Sequence, residues 1–312
     1  MILQNVALAQ VRSGQPLQEI LPELGLPRVT YYRWQERATV GRLADQVVVP
    51  HRQVLLPTPA EVAAVRRFAL DHPAAGYKRL TWMMVDEDVA YLRPYQVYRL
   101  LVAQDLLQRR PTPVPETLRR PPAPDHADQA WHIDLMYLYI RPRWYYLVDI
   151  VDGYSRYLVH WSLNLTMLTD TVTLTVQEAL DQLPTRRPSE PQIIHDHGSQ
   201  FISAEWQKFV EGAGVTDILT RVAHPQSNGV VERLHRTHRE EGLNDEALAD
   251  YYQALGTMAG WSDYYNYQRP HSALGYLRPV DYYRGDPESR RAERQQKLTQ
   301  AVEARKMYWQ AN

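Results

Sequence analysis

Apolar residues along the chain change their spacing twice, from helical to alternating and then to a mixture of the two. Leu17, Ile20, Leu21 and Leu24 recur three and four residues apart, Gly25 stops that run, and a second helix is expected from about Val29 to Glu36. Residues 1–45 therefore read as a helix-turn-helix, whose second helix offers Thr30, Tyr31 and Arg33 to a DNA groove. An ordinary αα-hairpin would show the same periodicity. A second helical block occupies 51–108, in PAEVAAVRRFALDHP, KRLTWMMVDE and LRPYQVYRLLVAQDLL, with Gly76 and the Arg93-Pro94 step as boundaries. Its last helix sets Gln96 and Arg99 among Val97, Leu100 and Leu101, either as DNA-reading side chains or as part of a packing module.

Residues 109–128 carry six prolines together with Arg109, Arg110, Arg119 and Arg120, which predicts a stiff basic linker able to meet DNA. From Trp131 the pattern turns to strands: WHIDLMYLYI, WYYLVDIVDGYS and YLVHWSLN, separated by turn signals at Arg141-Pro142 and Gly153. A helix in DTVTLTVQEALDQL follows, then a short strand at IIHD, a helix at EWQKFVEGAG, a strand near Thr216 to Thr220, and a helix carrying Glu232. A meander followed by alternation predicts an α/β domain over 129–285, with a mixed sheet and helices on its faces. Trp131, Trp144 and Trp161 are expected in its core, and 286–312 forms a charged helical tail.

A length of 312 residues calls for more than one domain. The chain has no run of eighteen apolar residues and no signal-peptide pattern at its start, so a cytoplasmic location without membrane contact is expected. The absence of cysteine excludes disulfides, thiolate catalysis and Cys-ligated metal. A net charge of −1 conceals an asymmetry: residues 1–125 have 16 basic and 12 acidic side chains, 126–287 have 13 and 21, and 288–312 have 6 and 3. An acidic, metal-binding middle between DNA-gripping arms would give this distribution, as would solvated surfaces of mixed sign.

Three acids stand out by context: Asp134 in an apolar strand-like run, Asp196 after Ile193 and Ile194 at a Gly turn, and Glu232 opening a polar helix after Asn228 and Gly229. Converging carboxylates suit hard divalent cations, and two such ions can clamp both sides of an in-line phosphoryl displacement. From Glu232, helical geometry brings His235, Arg236 and Arg239 to the same face, where positive charge would meet a phosphate. Exposed amides at Asn228 and Gly229 would add an anion site, with Gln226 beside them. A solvated helix face would carry the same residues. His195 and His197 flank Asp196 and allow a weaker zinc-hydrolase reading.

The segments WHIDLMYLYI, WYYLVDIVDGYSRYLVHW, HDHGSQFIS, HPQSNGVVERLHRTHREE and YNYQRPHSALGYLRPVDYY, in this order, resemble the integrase core of DDE transposases and retroviral integrases, especially the bacterial insertion-sequence-three family. The helical block HPAAGYKRLTWMMV to QVYRLLVAQDLL and the first forty residues resemble the modules preceding that core, so the resemblance reaches to about residue 285. It implies a ribonuclease-H-like fold, with a mixed five-stranded sheet and helices on both faces behind helical DNA-binding domains. It assigns the family's three acids to Asp134, Asp196 and Glu232 as catalytic residues and metal ligands, and its following basic residue to Arg239, where Lys is frequent. VDEDVA at 85–90 is more acidic than is usual beside a DNA-binding helix.

The resemblance further implies two Mg²⁺ or Mn²⁺ ions per site, cleavage and joining of double-stranded DNA at terminal repeats and target, and at least a dimer on DNA, nucleoid-associated in a bacterial cell. A non-catalytic, domesticated DNA-binding relative is the alternative from another class. A simple ribonuclease H would not need two helical modules upstream of its core.

Overall fold

The computed structural model describes residues 2–39, 41, 56–107, 124–184, 190–220, 229–243 and 248–311. Most of the expected linker, and with it Arg109, Arg110, Arg119 and Arg120, lies outside these residues, as do Gln226 and Asn228. The chain divides into two compact units, residues 1–56 with 306–312 and residues 57–305.

The first unit is built on helices α1 (Ile2–Ser13), α2 (Leu17–Glu23) and α3 (Arg28–Thr39). Gly25 makes the turn between α2 and α3 at φ +64°, a conformation that suits a residue without Cβ. Val6, Leu21 and Tyr31 form its small core, with Leu3, Leu17 and Leu26 packed against them. The tyrosine expected to face DNA is thus an inward residue with only 7% of its surface exposed. Its apolar ring supplies area that the few aliphatic side chains of so short a bundle do not.

The second unit opens with α4 (Pro59–Asp71), α5 (Tyr77–Asp86) and α6 (Pro94–Ala103). A capping box starts α4: Thr58 Oγ1 accepts from the Glu61 N–H at 3.2 Å, and the Thr58 N–H donates to Glu61 Oε2 at 2.7 Å. Val65, Phe68, Leu80, Met84, Leu92 and Val97 lie in the core between the three helices.

A five-stranded sheet follows, of β1 (Ala130–Ile140), β2 (Arg143–Asp152), β3 (Leu158–Asn164), β4 (Gln192–His195) and β5 (Thr216–Leu219), in the order β3-β2-β1-β4-β5. The first three strands are antiparallel, and β4 and β5 join parallel to β1. This is the ribonuclease-H-like arrangement. Alternation along β1 divides the core in two. Trp131 and Ile133 pack with α7 (Thr169–Asp181) and α8 (Ala204–Ala213), through Val172, Val176 and Trp206. The opposite face carries Met136 and Leu138 against α10 (Tyr251–Asp263), and near its other end Val151 and Leu158 meet Val231 and Leu234 of α9 (Gly229–Thr237). Trp144 departs from expectation. It stands opposite Tyr139 near the tip of the β1–β2 hairpin and is 57% exposed, as Tyr137 and Tyr139 largely are.

After α11 (Pro279–Tyr283), the charged tail forms one long helix, α12 (Pro287–Ala311). Arg294 is buried and donates to both Asp86 oxygens, at 2.8 and 2.6 Å, and to the Tyr276 carbonyl at 2.7 Å. Lys297 reaches Asp88 at 2.6 Å, and buried Arg305 reaches Glu61 at 2.6 Å. The unusual acidity of VDEDVA is thereby explained: it is the counter-charge for the tail helix. Breaking a buried pair leaves an uncompensated charge, which costs about 3–5 kcal/mol. Arg294→Ala is therefore expected to lower the stability of the full chain in urea unfolding by that order. Arg291→Ala, on an exposed part of the same helix, should change it by less than about 1 kcal/mol.

Candidate active site

Register places two acids side by side. Asp134 on β1 stands opposite Asp149 on β2, so both side chains project from the same face of the sheet. Like charges in that relation repel, and Asp149 has no solvent exposure at all. Helix α9 resolves the conflict. Its inward residues include His235, and the π-helical turn that continues it, His238–Gly242, adds fully buried His238. Nε2 of each imidazole lies 3.2 Å from Asp149 Oδ2, and Nδ1 of His235 lies 3.6 Å from Asp134 Oδ2. No aligned hydrogen bond reaches the Asp149 oxygens, and the two imidazole nitrogens are the polar groups that meet this carboxylate.

The proton affinities follow. Burial pushes Asp149 upward, but His238 and His235 outweigh it and hold the carboxyl below its usual range. Burial lowers His235, yet Asp149 and then Asp134 more than compensate and raise it, with Arg239 opposing them. Burial is also the main influence on Asp134, pushing it up to about 6; His235 and the Leu135 N–H counteract, while Asp196 and Asp149 add repulsion.

Asp196 arrives from the neighbouring strand. His132 on β1 pairs with Ile194 on β4, and Asp134 and Asp196 each stand two residues beyond that pair. Asp196 Oδ1 accepts from the Gly198 N–H at 2.9 Å, which turns the exposed carboxylate at the strand end. Its charge is felt at Asp134. Glu232 is exposed on α9, the helix packed on the Asp134 face of the sheet. The structure therefore brings Asp134 and Asp196 together and sets Glu232 one helical turn before His235, the side chain that touches Asp134. Among the described residues no three Asp, Glu or His side chains converge closely enough to enclose one ion.

Other expected contacts divide by burial. Arg33 and Arg99 are exposed and Thr30 is half-buried. Gln96 is buried, its Oε1 accepting from the Arg93 N–H at 2.9 Å, so it caps α6 and is withdrawn from base reading. His235 is likewise corrected from a DNA-facing residue to an internal one, because Asp149 draws it inward. Arg236 and Arg239 stay exposed, Arg236 donating to Glu240 at 2.9 Å. His195 is no metal ligand here: its ring stacks on Phe201 and its Nε2 lies 2.6 Å from Asp217. Asp149 and His238 were missed. An acid in the apolar run WYYLVDIVDGYS, beside a histidine pair spaced i, i+3, was the available signal.

Two integrase core domain models match the chain, one over residues 124–225 and the other over 213–279. An insertion element IS136 uncharacterized protein of Agrobacterium fabrum is 30% identical over 142 residues, covering 44% of this chain and 73% of that protein. The chain belongs to the DDE transposase and integrase family. Transposase InsD for insertion element IS2 of Escherichia coli is 27% identical, over 68% of this chain and 74% of its own length, and places this family member among insertion-element proteins. Among solved structures, the HTLV-2 integrase catalytic core domain in complex with magnesium is 17% identical with a TM-score of 0.42, covering 51% of this chain and 98% of that one.

Because the Asp134 carboxyl lies above its ordinary value of 3.8, the folded chain retains this proton between about pH 4 and about pH 6, where the unfolded chain has released it. That contribution is complete below about pH 4 and is lost as pH rises through about 6. Asp134→Asn removes the disfavoured charge. It should stabilise the metal-free transposase-family chain by on the order of 2–3 kcal/mol at pH 8 and by little at pH 4, as read from unfolding curves at the two pH values.

Proposed function

We propose that this chain is a transposase that binds the ends of an insertion sequence and catalyses metal-dependent cleavage and joining of DNA strands. The observation that carries this reading is the placement of Asp134 and Asp196 two residues beyond the last pair of adjacent parallel strands in an integrase-core sheet, close enough for the charge of Asp196 to raise the proton affinity of Asp134. A carboxylate so placed favours any cation that offsets the repulsion. Hard oxygen donors of this kind suit Mg²⁺ or Mn²⁺. Asp134, Asp196 and Glu232 would hold two such ions. Ions held there would supply Lewis-acid activation of the attacking oxygen and offset charge at the phosphate.

The chain's own residues supply the rest. Asp196 is held in orientation by the Gly198 N–H. Arg236 and Arg239, exposed beyond Glu232 on α9 and its continuation, provide positive charge for a phosphate. Arg33 on α3 and Arg99 on α6 are exposed for contact with the terminal repeats, with Thr30 beside the former and the arginines of the 109–128 connector for the backbone between modules. Two ends must be held at once, so at least a dimer assembles on DNA. Among the described residues no helix is long and apolar enough to cross a membrane. The nucleoid in the bacterial cytoplasm is the proposed place of action.

Asp196→Asn is expected to abolish Mg²⁺-dependent nicking and strand transfer on labelled oligonucleotide ends while leaving end binding in chelator intact. A variant that still joined ends would remove the assignment. A wild-type chain that binds ends but never cuts them would point to a non-catalytic relative.

A further inference from the structure

The fully buried Asp149 has no place in the reaction just described, yet it stands opposite the first catalytic acid in the sheet, with His235 in contact with both. His235 reaches Asp149 with Nε2 at 3.2 Å and Asp134 with Nδ1 at 3.6 Å, so a single ring joins the buried carboxylate to the reactive one. His238 meets the same Asp149 oxygen at 3.2 Å, and its ring lies against Trp261 with centroids 3.9 Å apart. The close approach needs Gly242, where a Cβ would stand 2.5 Å from the Trp261 ring.

A buried charge cluster is a poor way to gain stability, since apolar residues of similar volume serve as well or better. Stability alone therefore does not account for three ionisable groups at this point. A polar group packed behind a metal-binding side chain, by contrast, constrains the orientation of that side chain. We propose that Asp149, acting through His235, is a positioning residue that sets the orientation of the Asp134 carboxylate for metal. His238 secures the same anchor to α9, so the helix carrying Glu232 and the strand carrying Asp134 share one buried fastening. The inference rests on the transposase reading of the site.

Full-length Asp149→Asn, His235→Gln, their double variant, and Asp149→Leu with His238→Leu test it. The leucine pair refills the buried space with apolar volume. Each protein is titrated with MnCl₂ alone, with the free ion followed by electron paramagnetic resonance, and its unfolding temperature is measured without metal. Asp149→Asn and His235→Gln should each weaken Mn²⁺ binding about 10- to 100-fold. The double variant should lose no more than the worse single variant, because the two residues act in series. The leucine pair should recover the wild-type unfolding temperature while still binding Mn²⁺ weakly.

Wild-type affinity in Asp149→Asn, additive losses in the double variant, or recovery of Mn²⁺ binding along with stability in the leucine pair would each overturn the positioning role. Should Asp149→Asn fail to fold, the leucine pair decides. Strand transfer by the wild type separates the two readings: a wild-type chain that joins ends while its Asp149 variants bind Mn²⁺ normally loses only this inference. A wild-type chain that neither binds Mn²⁺ nor joins ends loses the transposase reading and this inference together.

Discussion

A carboxylate without access to water must be met by polar or charged partners, and at Asp149 that requirement ties together three elements of the core. Strand β2 brings the acid, helix α9 brings His235, and the π-helical continuation of α9 brings His238. Placement of the Glu232 helix on the sheet then follows from electrostatics as well as from the apolar contacts of Val231 and Leu234. Asp134 inherits the consequences. Burial, with the repulsion of two acids added and one imidazole relieving it in part, leaves it with an affinity for protons above that of an ordinary surface aspartate.

Charge pairing of the same kind holds the rest of the second unit to its helical module. Glu241, just past α9, accepts from Arg269 at 2.6 and 2.8 Å and from Arg79 of α5 at 3.0 Å, so the end of the Glu232 helix is braced from two directions. Burial raises the Glu241 carboxyl, but Arg269 and Arg79 outweigh it and keep it ionised. On the other side of the module, α12 delivers Arg294, Lys297 and Arg305 to Asp86, Asp88 and Glu61. The charged tail is a structural strap that grips an acidic segment and Glu61.

Periodicity made most of the elements legible. The helices at 59–71, 77–86 and 94–103, the three-strand meander, and the short strands around Ile193 and Ile218 all follow apolar spacing that local physics imposes. Errors arose where a position's partner came from elsewhere. Tyr31 looks like a groove-facing residue until the small core of its bundle claims it, and Gln96 looks like a base reader until its amide closes the start of its own helix. Trp144 carries a core residue's chemistry near the tip of a hairpin, where more than half of it stays exposed.

Motif order alone pointed to the family, and to Asp134, Asp196 and Glu232 as candidate acids, because residue type in local context survives without coordinates. Which acid would be buried, which histidine would leave the helix surface, and what the charged tail would hold were decided only by tertiary structure. Each depends on the distance between groups far apart in sequence, Asp149 and His235 or Asp86 and Arg294, and burial and Coulomb energy are functions of that distance and not of the chain's order.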